Sequence, residues 1–120
     1  MQNFSIYPKD DNRLELVFES FTLNDATGEI ELYDDHNHMF GVLVRQHIAA
    51  IVPVEVRPTQ RLDMHTFTVY LKTHLDSPFS LNAVGYDRAQ GYKFIVDNRP
   101  LRWVYIDPAE IVLITYRPTN

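Results

Sequence analysis

The residues best suited to hold a metal ion stand together in one polar run, Asp34-Asp35-His36-Asn37-His38. In an extended chain His36 and His38 share a face, where two imidazoles and the carboxylate of Asp34 or Asp35 could coordinate a divalent cation. The other three histidines stand in separate segments, at His47, His65 and His74. A metal site needs three or four ligands, so we predict a solvated turn and no bound metal, with the two histidines and two aspartates as the candidate ligands.

Signatures of catalysis are missing from the sequence. No serine stands in a Gly-x-Ser-x-Gly elbow, and the four glycines are too isolated to form a phosphate-binding loop or a dinucleotide fingerprint. The chain has no cysteine, which excludes thiol catalysis, thiolate metal sites and disulfides. An acid/base site built from dispersed Asp, Glu and His leaves no spacing rule and stays open. The catalytic residues are therefore unknown, no cofactor is indicated, and the sequence favours a protein that is not an enzyme.

A second cluster of chemically informative residues combines aromatic rings with arginines between two turns. Its members are Tyr86, Arg88, Arg99 and Arg102. Tyrosine and arginine are enriched at the energetic centres of protein interfaces, and surface loops present binding residues more often than core strands do. We predict that these four residues, with the loop from Gly85 to Gly91, form part of a surface that binds another protein. Strand alternation is compatible with a buried ring at Trp103.

The charge of the chain restricts the class of partner. The 11 basic and 16 acidic residues give a formal net charge of -5, which disfavours long-range attraction to nucleic acid or to anionic membranes. The longest apolar stretch, residues 48–54, falls far short of the roughly 20 residues of a membrane-spanning helix. The N-terminus lacks the basic start and apolar stretch of a signal peptide. We expect a soluble cytoplasmic protein with a protein partner and no membrane or nucleic-acid partner, and a homo-oligomer is compatible with the sequence.

The elements that must position these residues read as strands. The 120 residues fit one domain, 1–120, and β-branched and aromatic residues recur in short runs bounded by Gly, Pro, Asn and Asp. This pattern predicts a mainly antiparallel all-β fold, a small sandwich or partly open barrel of about seven to nine strands. The clearest strand is 66–72. Residues 13–21 read as one strand that forms a hairpin with 29–33, and Pro53 indicates an edge strand or a bulge. At most one short helical turn is expected, near Pro108, where Asp107 can cap it.

An internal repeat is one interpretation of a partial self-match. When residues 44–58 are laid on residues 104–118, an offset of 60, six positions are identical. Both copies read as strand, turn, strand, so a duplicated β-turn-β unit related by pseudo-twofold symmetry would explain the match. The alternative is the shared composition of apolar strands.

These observations leave three function classes. The first is a small noncatalytic protein-binding module of the adaptor or regulatory kind, because the chain offers interface residues and no reaction machinery. The second is an enzyme or small-ligand-binding β barrel that uses dispersed Asp, Glu and His. The third is a single-stranded nucleic-acid binder, in which the same aromatic and arginine side chains would stack on bases.

Overall fold

The computed structural model describes residues 1–10, 12–54, 63–96, 99–100 and 103–118. Within these ranges the chain forms thirteen strands and three short 3₁₀ turns, and no α-helix. The strands are β1 (Gln2–Pro8), β2 (Leu14–Phe18), β3 (Ser20–Asn24), β4 (Glu29–Tyr33), β5 (Met39–Val44), β6 (Ile48–Pro53), β7 (His65–Leu71), β8 (Phe79–Ala83), β9 (Gly85–Asp87), β10 (Lys93–Val96), β11 (Arg99–Pro100), β12 (Tyr105–Ile106) and β13 (Ile111–Pro118). The 3₁₀ turns are Arg45–His47, Arg88–Gln90 and Pro108–Glu110.

The all-β, mainly antiparallel class expected from the sequence is confirmed, but the described elements outnumber those expected. The run expected as one strand over 13–21 is divided at Glu19, so that β2 and β3 join different sheets. Strand β12 has only two residues. The turns at Arg45–His47 and Arg88–Gln90 add to the one foreseen at Pro108. The chain passes to a different sheet at six of the twelve connections between consecutive described strands.

The strands form four sheets whose neighbours are antiparallel. Their orders are β12-β6-β1-β2, β13-β7-β8, β3-β4-β5 and β11-β10-β9. The prediction of an edge strand or a bulge at Pro53 was wrong, because β6 lies between β1 and β12 and its register shift lies between Ile48 and Ala50. Pro53 is tolerated there because it is the last residue of β6, beyond the residues that pair with β12.

Strand β1 was not expected from the sequence, yet it is central to the packing. Phe4 and Ile6 point to one side of its sheet, Ser5 and Tyr7 to the other, and all four are buried. A strand buried on both faces loses the alternation of apolar and polar residues that identifies half-buried strands. This loss of pattern explains why composition near the N-terminus did not indicate a strand.

Two hydrophobic cores lie on the two faces of β1. The first core consists of Phe4, Ile6, Phe18, Ile30, Leu32, Ile48 and Ile51. The second core consists of Tyr7, Ala49, Ala50, Val52, Phe67, Val69, Leu71, Phe79, Leu81, Ala83 and Phe94. In the first core the rings of Phe4 and Phe18 stack with centroids 4.1 Å apart. Each fully buried side chain of this size contributes about 1.5–3 kcal/mol, so the two clusters are the main source of stability.

The fold contains an internal repeat. We call residues 2–53 the N-terminal half and residues 65–118 the C-terminal half. Strand β1 begins at Gln2 and β7 at His65, an offset of 63, and the pairing of β1 with β2 and β6 recurs in β7 with β8 and β13. The shift in register after Tyr7 recurs at the equivalent place, after Tyr70. Lys9 N donates to His47 O at 2.9 Å, and Lys72 N donates to Glu110 O at 3.0 Å.

The second sheets repeat as well. Glu19 N donates to Tyr33 O and Val84 N donates to Ile95 O, both at 2.9 Å. The duplication is therefore present, but the offset of 60 expected from the sequence was wrong: the turn at 45–47 corresponds to 108–110, which is an offset of 63. The sequence signal at this offset is the match of FSIYPK, residues 4–9, with FTVYLK, residues 67–72.

Candidate binding cleft

A cleft of about 980 Å³ lies between the two halves. Its volume falls within the range of about 300–1,000 Å³ typical of ligand sites. The N-terminal half contributes Lys9, Phe21, Leu23, Thr27, Gly28, Val44, Arg45 and Gln46. The C-terminal half contributes residues 91–94 and 104–108.

The first wall is held by the turn between β3 and β4. The side-chain oxygen of Asn24 accepts hydrogen bonds from the backbone N–H groups of Ala26 and Thr27, at 3.1 and 3.3 Å. Gly28 takes a φ of +70°, which glycine adopts without steric cost, as its place in the expected hairpin requires. Arg45 N donates to Gly28 O at 3.0 Å, so the turn fixes the backbone from which the Arg45 side chain extends.

The opposite wall is held by close packing around Pro108. Gly91 has a φ of +78°, and a Cβ at that position would stand 3.3 Å from Cγ of Pro108, closer than most side chains allow. Asp107 caps the 3₁₀ turn by accepting from Ala109 N at 3.0 Å, as its place before Pro108 predicted. The wall that carries Tyr92 and Lys93 is therefore anchored against this turn.

An ion pair joins the two walls, because Lys9 Nζ lies 2.7 Å from Asp107 Oδ2. Burial by itself would raise the pKa of Asp107, but the hydrogen bonds from Lys9 and from Ala109 N outweigh it, and the pKa is lowered. The hydrogen bond to Asp107 raises the pKa of Lys9 against a smaller desolvation effect. Both shifts favour the charged forms, so this pair stays ionised across the neutral range.

Arg45 is oriented by an aromatic ring and a carboxylate. Its guanidinium carbon lies 5.7 Å from the ring centroid of Tyr105, and Nη1 lies 2.6 Å from Asp25 Oδ1. Hydrogen bonds to Tyr105 and then to Asp25 raise the pKa of Arg45. Tyr105 in turn lies opposite Ile51 in the sheet, so the arginine contacts a ring that strand pairing holds in place.

The lining of the cleft combines positive charge with apolar surface. Among the described residues it includes three cations, Lys9, Arg45 and Lys93, and one carboxylate, Asp107, although the whole chain is acidic. The aromatic lining residues are Phe21, Tyr92, Phe94 and Tyr105. Asp107 is already engaged with Lys9, so the described part of the lining contains no pair of free carboxylates for acid/base chemistry. The arrangement can hold an anionic group next to an apolar body.

The predicted partner surface adjoins this cleft on one side. The ring of Tyr86 is half-buried and packs 5.7 Å from Tyr92, which lines the cleft. Arg88 is exposed, with its guanidinium carbon 5.9 Å from the Tyr86 ring centroid. The structure thus brings Tyr86 and Arg88 together. Arg99 lies in β11 opposite Val96, and Arg102 lies outside the described residues.

The loop from Gly85 to Gly91 and the tryptophan differ from expectation. The loop consists of the short strand β9 and a 3₁₀ turn that Asp87 caps by accepting from Ala89 N at 2.9 Å. The prediction of a buried ring at Trp103 was wrong, because this residue is 40% exposed. Alternation failed here because β12 begins only at Tyr105.

The histidine and aspartate run forms the turn between β4 and β5. One oxygen of Asp34 accepts from the backbone N–H groups of His36 and His38, both at 2.9 Å, and these hydrogen bonds lower the pKa of Asp34. Asp35 Oδ1 lies 3.9 Å from His36 Nε2, and the His36 side chain is 78% exposed. No group of three or more candidate ligands is found within the described ranges. The polar composition is therefore explained by the turn itself.

Sequence reasoning did not single out Lys9, Arg45 or Tyr105 as site residues. They come from three segments that meet only in the folded chain, so no spacing rule connects them. Lys9 directly follows the unexpected strand β1. The match of residues 4–9 with 67–72 is the one signal that would have placed Lys9 at a strand end.

The described segments contain no helix with the length and apolar character needed to cross a bilayer. No protein-family model, curated protein or solved structure matches this chain.

Proposed function

We propose that this protein is a small noncatalytic binding module, of the adaptor or regulatory kind, that holds an acidic segment of another protein in the cleft. The observation that carries the proposal is the described lining itself, in which four aromatic rings lie with the exposed Lys93, a cation with no ion pair among the described residues, while Lys9 and Arg45 are paired with Asp107 and Asp25. An unpaired lysine beside aromatic rings can attract a carboxylate, while the rings receive apolar side chains of the same segment.

The rim of the cleft supports a partner with both acidic and apolar side chains. Leu23 and Val44 line it and are 41% and 47% exposed, an apolar surface that a bound segment would remove from water. Lys93 is exposed at the opposite wall. A segment that alternates acidic and apolar residues presents both groups at the spacing of an extended chain.

Tyr86 and Arg88 would extend this binding surface beyond the cleft. Because the Tyr86 ring packs on Tyr92 and Arg88 lies over the Tyr86 ring, the surface is continuous from the cleft to the 3₁₀ turn at Arg88–Gln90. Arg99 and Arg102 are proposed as further partner contacts on the basis of their residue type.

A labelled peptide that alternates Glu and Leu tests the proposal, with one that alternates Lys and Leu as its charge-reversed match. We expect the acidic peptide to bind, by fluorescence anisotropy, and Lys93→Glu to weaken binding by about tenfold or more, equivalent to about 1.4 kcal/mol. The matched control is Lys72→Glu, the same charge change at an exposed residue that does not line the cleft. Equal losses in the two variants, or equal binding of the two peptides, would contradict the proposal.

The volume of the cleft favours a second candidate, a small anionic ligand with an aromatic body. Anilinonaphthalene sulfonate has this chemistry and reports its own binding by fluorescence. Saturable binding of this probe that Lys93→Glu abolishes, with no binding of the acidic peptide, would favour the small ligand. Labelled single-stranded oligothymidine provides the nucleic-acid comparison, and we expect no binding because the chain is acidic overall.

A further inference from the structure

The internal repeat makes one contact between the halves that has no counterpart. Strand β12 pairs with the outer edge of β6, with Tyr105 opposite Ile51 and Ile106 opposite Ala50. The equivalent of β6 in the C-terminal half is β13. Among the described residues β13 pairs only with β7, so the edge equivalent to the one that β12 covers is open.

The open edge of β13 is apolar and uncharged over residues 111–116, and Arg117 and Pro118 end the strand. Val112, Leu113 and Tyr116 are 54%, 49% and 65% exposed, whereas Ala49 and Ala50, the equivalents of the first two, are fully buried. Residues 111–116 carry no charge. Natural edge strands are usually protected by charged side chains, proline or bulges. The bulge in β13 gives no protection, since β6 has the equivalent bulge and still accepts β12.

A complementary edge is open on β5. Strand β5 precedes the 3₁₀ turn that leads into β6, and β12 precedes the 3₁₀ turn that leads into β13. With the offset of 63, Val42 is equivalent to Tyr105 and Leu43 is equivalent to Ile106. Among the described residues β5 pairs only with β4. Phe40, Val42 and Val44 are 49%, 44% and 47% exposed, and residues 39–44 carry no charge.

We propose that a second copy of this chain supplies the missing contact, with β5 of one copy added in antiparallel fashion to β13 of the other. The equivalence sets the alignment: Val42 lies opposite Ile114, and Leu43 lies opposite Leu113. Two copies related by a twofold axis form this contact twice, which closes both open edges of each copy. The pairing places no like charges opposite each other, an advantage in a chain of net charge -5. The inference does not rest on the function proposed for the cleft.

Sedimentation equilibrium of the full chain tests the dimer. We expect a dimer that Val42→Lys and, separately, Leu113→Lys each weaken by about tenfold or more, because a lysine on either edge opposes pairing. The control is Leu14→Lys, the same substitution at a residue that is 55% exposed on a different edge strand. A cooperative thermal transition in each variant establishes that it folds. A chain that is monomeric at its highest soluble concentration, or a dimer weakened only by Leu14→Lys, would overturn the proposal.

A cross-link tests the alignment directly, since the chain has no cysteine of its own. Residues opposite each other in antiparallel strands have Cα atoms about 4.5–5.5 Å apart, within the range that a disulfide spans. Mild oxidation of the variant Leu43→Cys with Leu113→Cys is expected to yield covalent dimers on a non-reducing gel, and Leu14→Cys with Leu113→Cys is expected to yield few. The reverse result would refute the pairing of β5 with β13.

Discussion

The two halves of the chain share strand pairing and register but bury different parts of the repeat. Leu16 and Leu81 are equivalent residues of β2 and β8, yet Leu16 is 36% exposed and Leu81 only 4%. The cause is the contact between the halves. Leu81 belongs to the second core, onto which the face of β1 and β6 that bears Tyr7 packs, with the Tyr7 ring 5.3 Å from Phe79. Leu16 belongs to neither core.

The equivalent face of the C-terminal half is solvated and polar. Thr66 donates to Asn82 at 3.0 Å, and the hydroxyls of Thr68 and Ser80 lie 3.2 Å apart. Ala49 and Ala50 allow close approach in the N-terminal half, where the C-terminal half has Val112 and Leu113. The backbone repeat thus defines strand pairing, while side-chain size and polarity decide which copy is buried between sheets.

The largest difference in the free energy of unfolding is expected when each of the two equivalent leucines, Leu81 and Leu16, is replaced by alanine. Leu81→Ala should lower the free energy of unfolding by about 2–5 kcal/mol, because it leaves a cavity in the second core. Leu16→Ala should cost about 1 kcal/mol, since water already reaches that side chain. Urea unfolding at equilibrium measures both. Equal costs would show that the halves are buried alike.

An intermediate effect is expected from the ion pair of Lys9, which Lys72, the equivalent residue of the C-terminal half, does not form within the described residues. Lys9 pairs with Asp107, whereas its equivalent Lys72 has no ion pair among the described residues. Because folding lowers the pKa of Asp107, its contribution is present above its unfolded pKa of about 3.9 and is lost as the pH falls through the folded pKa. Asp107→Asn should therefore lower stability at neutral pH by about 1 kcal/mol and flatten the decline in acid.

Urea unfolding of this variant at a series of pH values checks the prediction. Asp76→Asn is the control, because it removes the same charge from an exposed side chain. An acid decline as steep in Asp107→Asn as in the parent would exclude the ion pair as its source.

The smallest effect concerns the turn that precedes β5, residues 34–38. This turn holds the candidate metal ligands His36 and His38. Because backbone hydrogen bonds to Asp34 account for this turn, a chelator should leave the melting temperature unchanged. Differential scanning fluorimetry with and without chelator measures it. A chelator-induced drop that His36→Ala with His38→Ala removes would reveal a metal site.

The sequence by itself determined the features that depend on neighbouring residues. Alternation over 66–72 identified β7, and the turn residues before Gly28 and at Asp107 identified the hairpin and the capped turn that now form two walls of the cleft. These features follow from local sterics and hydrogen bonds within a few residues, which composition and spacing express directly.

Only the tertiary structure decided which strand faces and edges are covered. Burial of Ser5 and Tyr7 on one face of β1, and of Phe4 and Ile6 on the other, removed the pattern by which a strand is identified. The ion pair of Lys9 with Asp107 and the pairing of Tyr105 with Ile51 join segments more than 50 residues apart in the chain. No local rule encodes such contacts, because they depend on how two copies of one strand arrangement pack against each other.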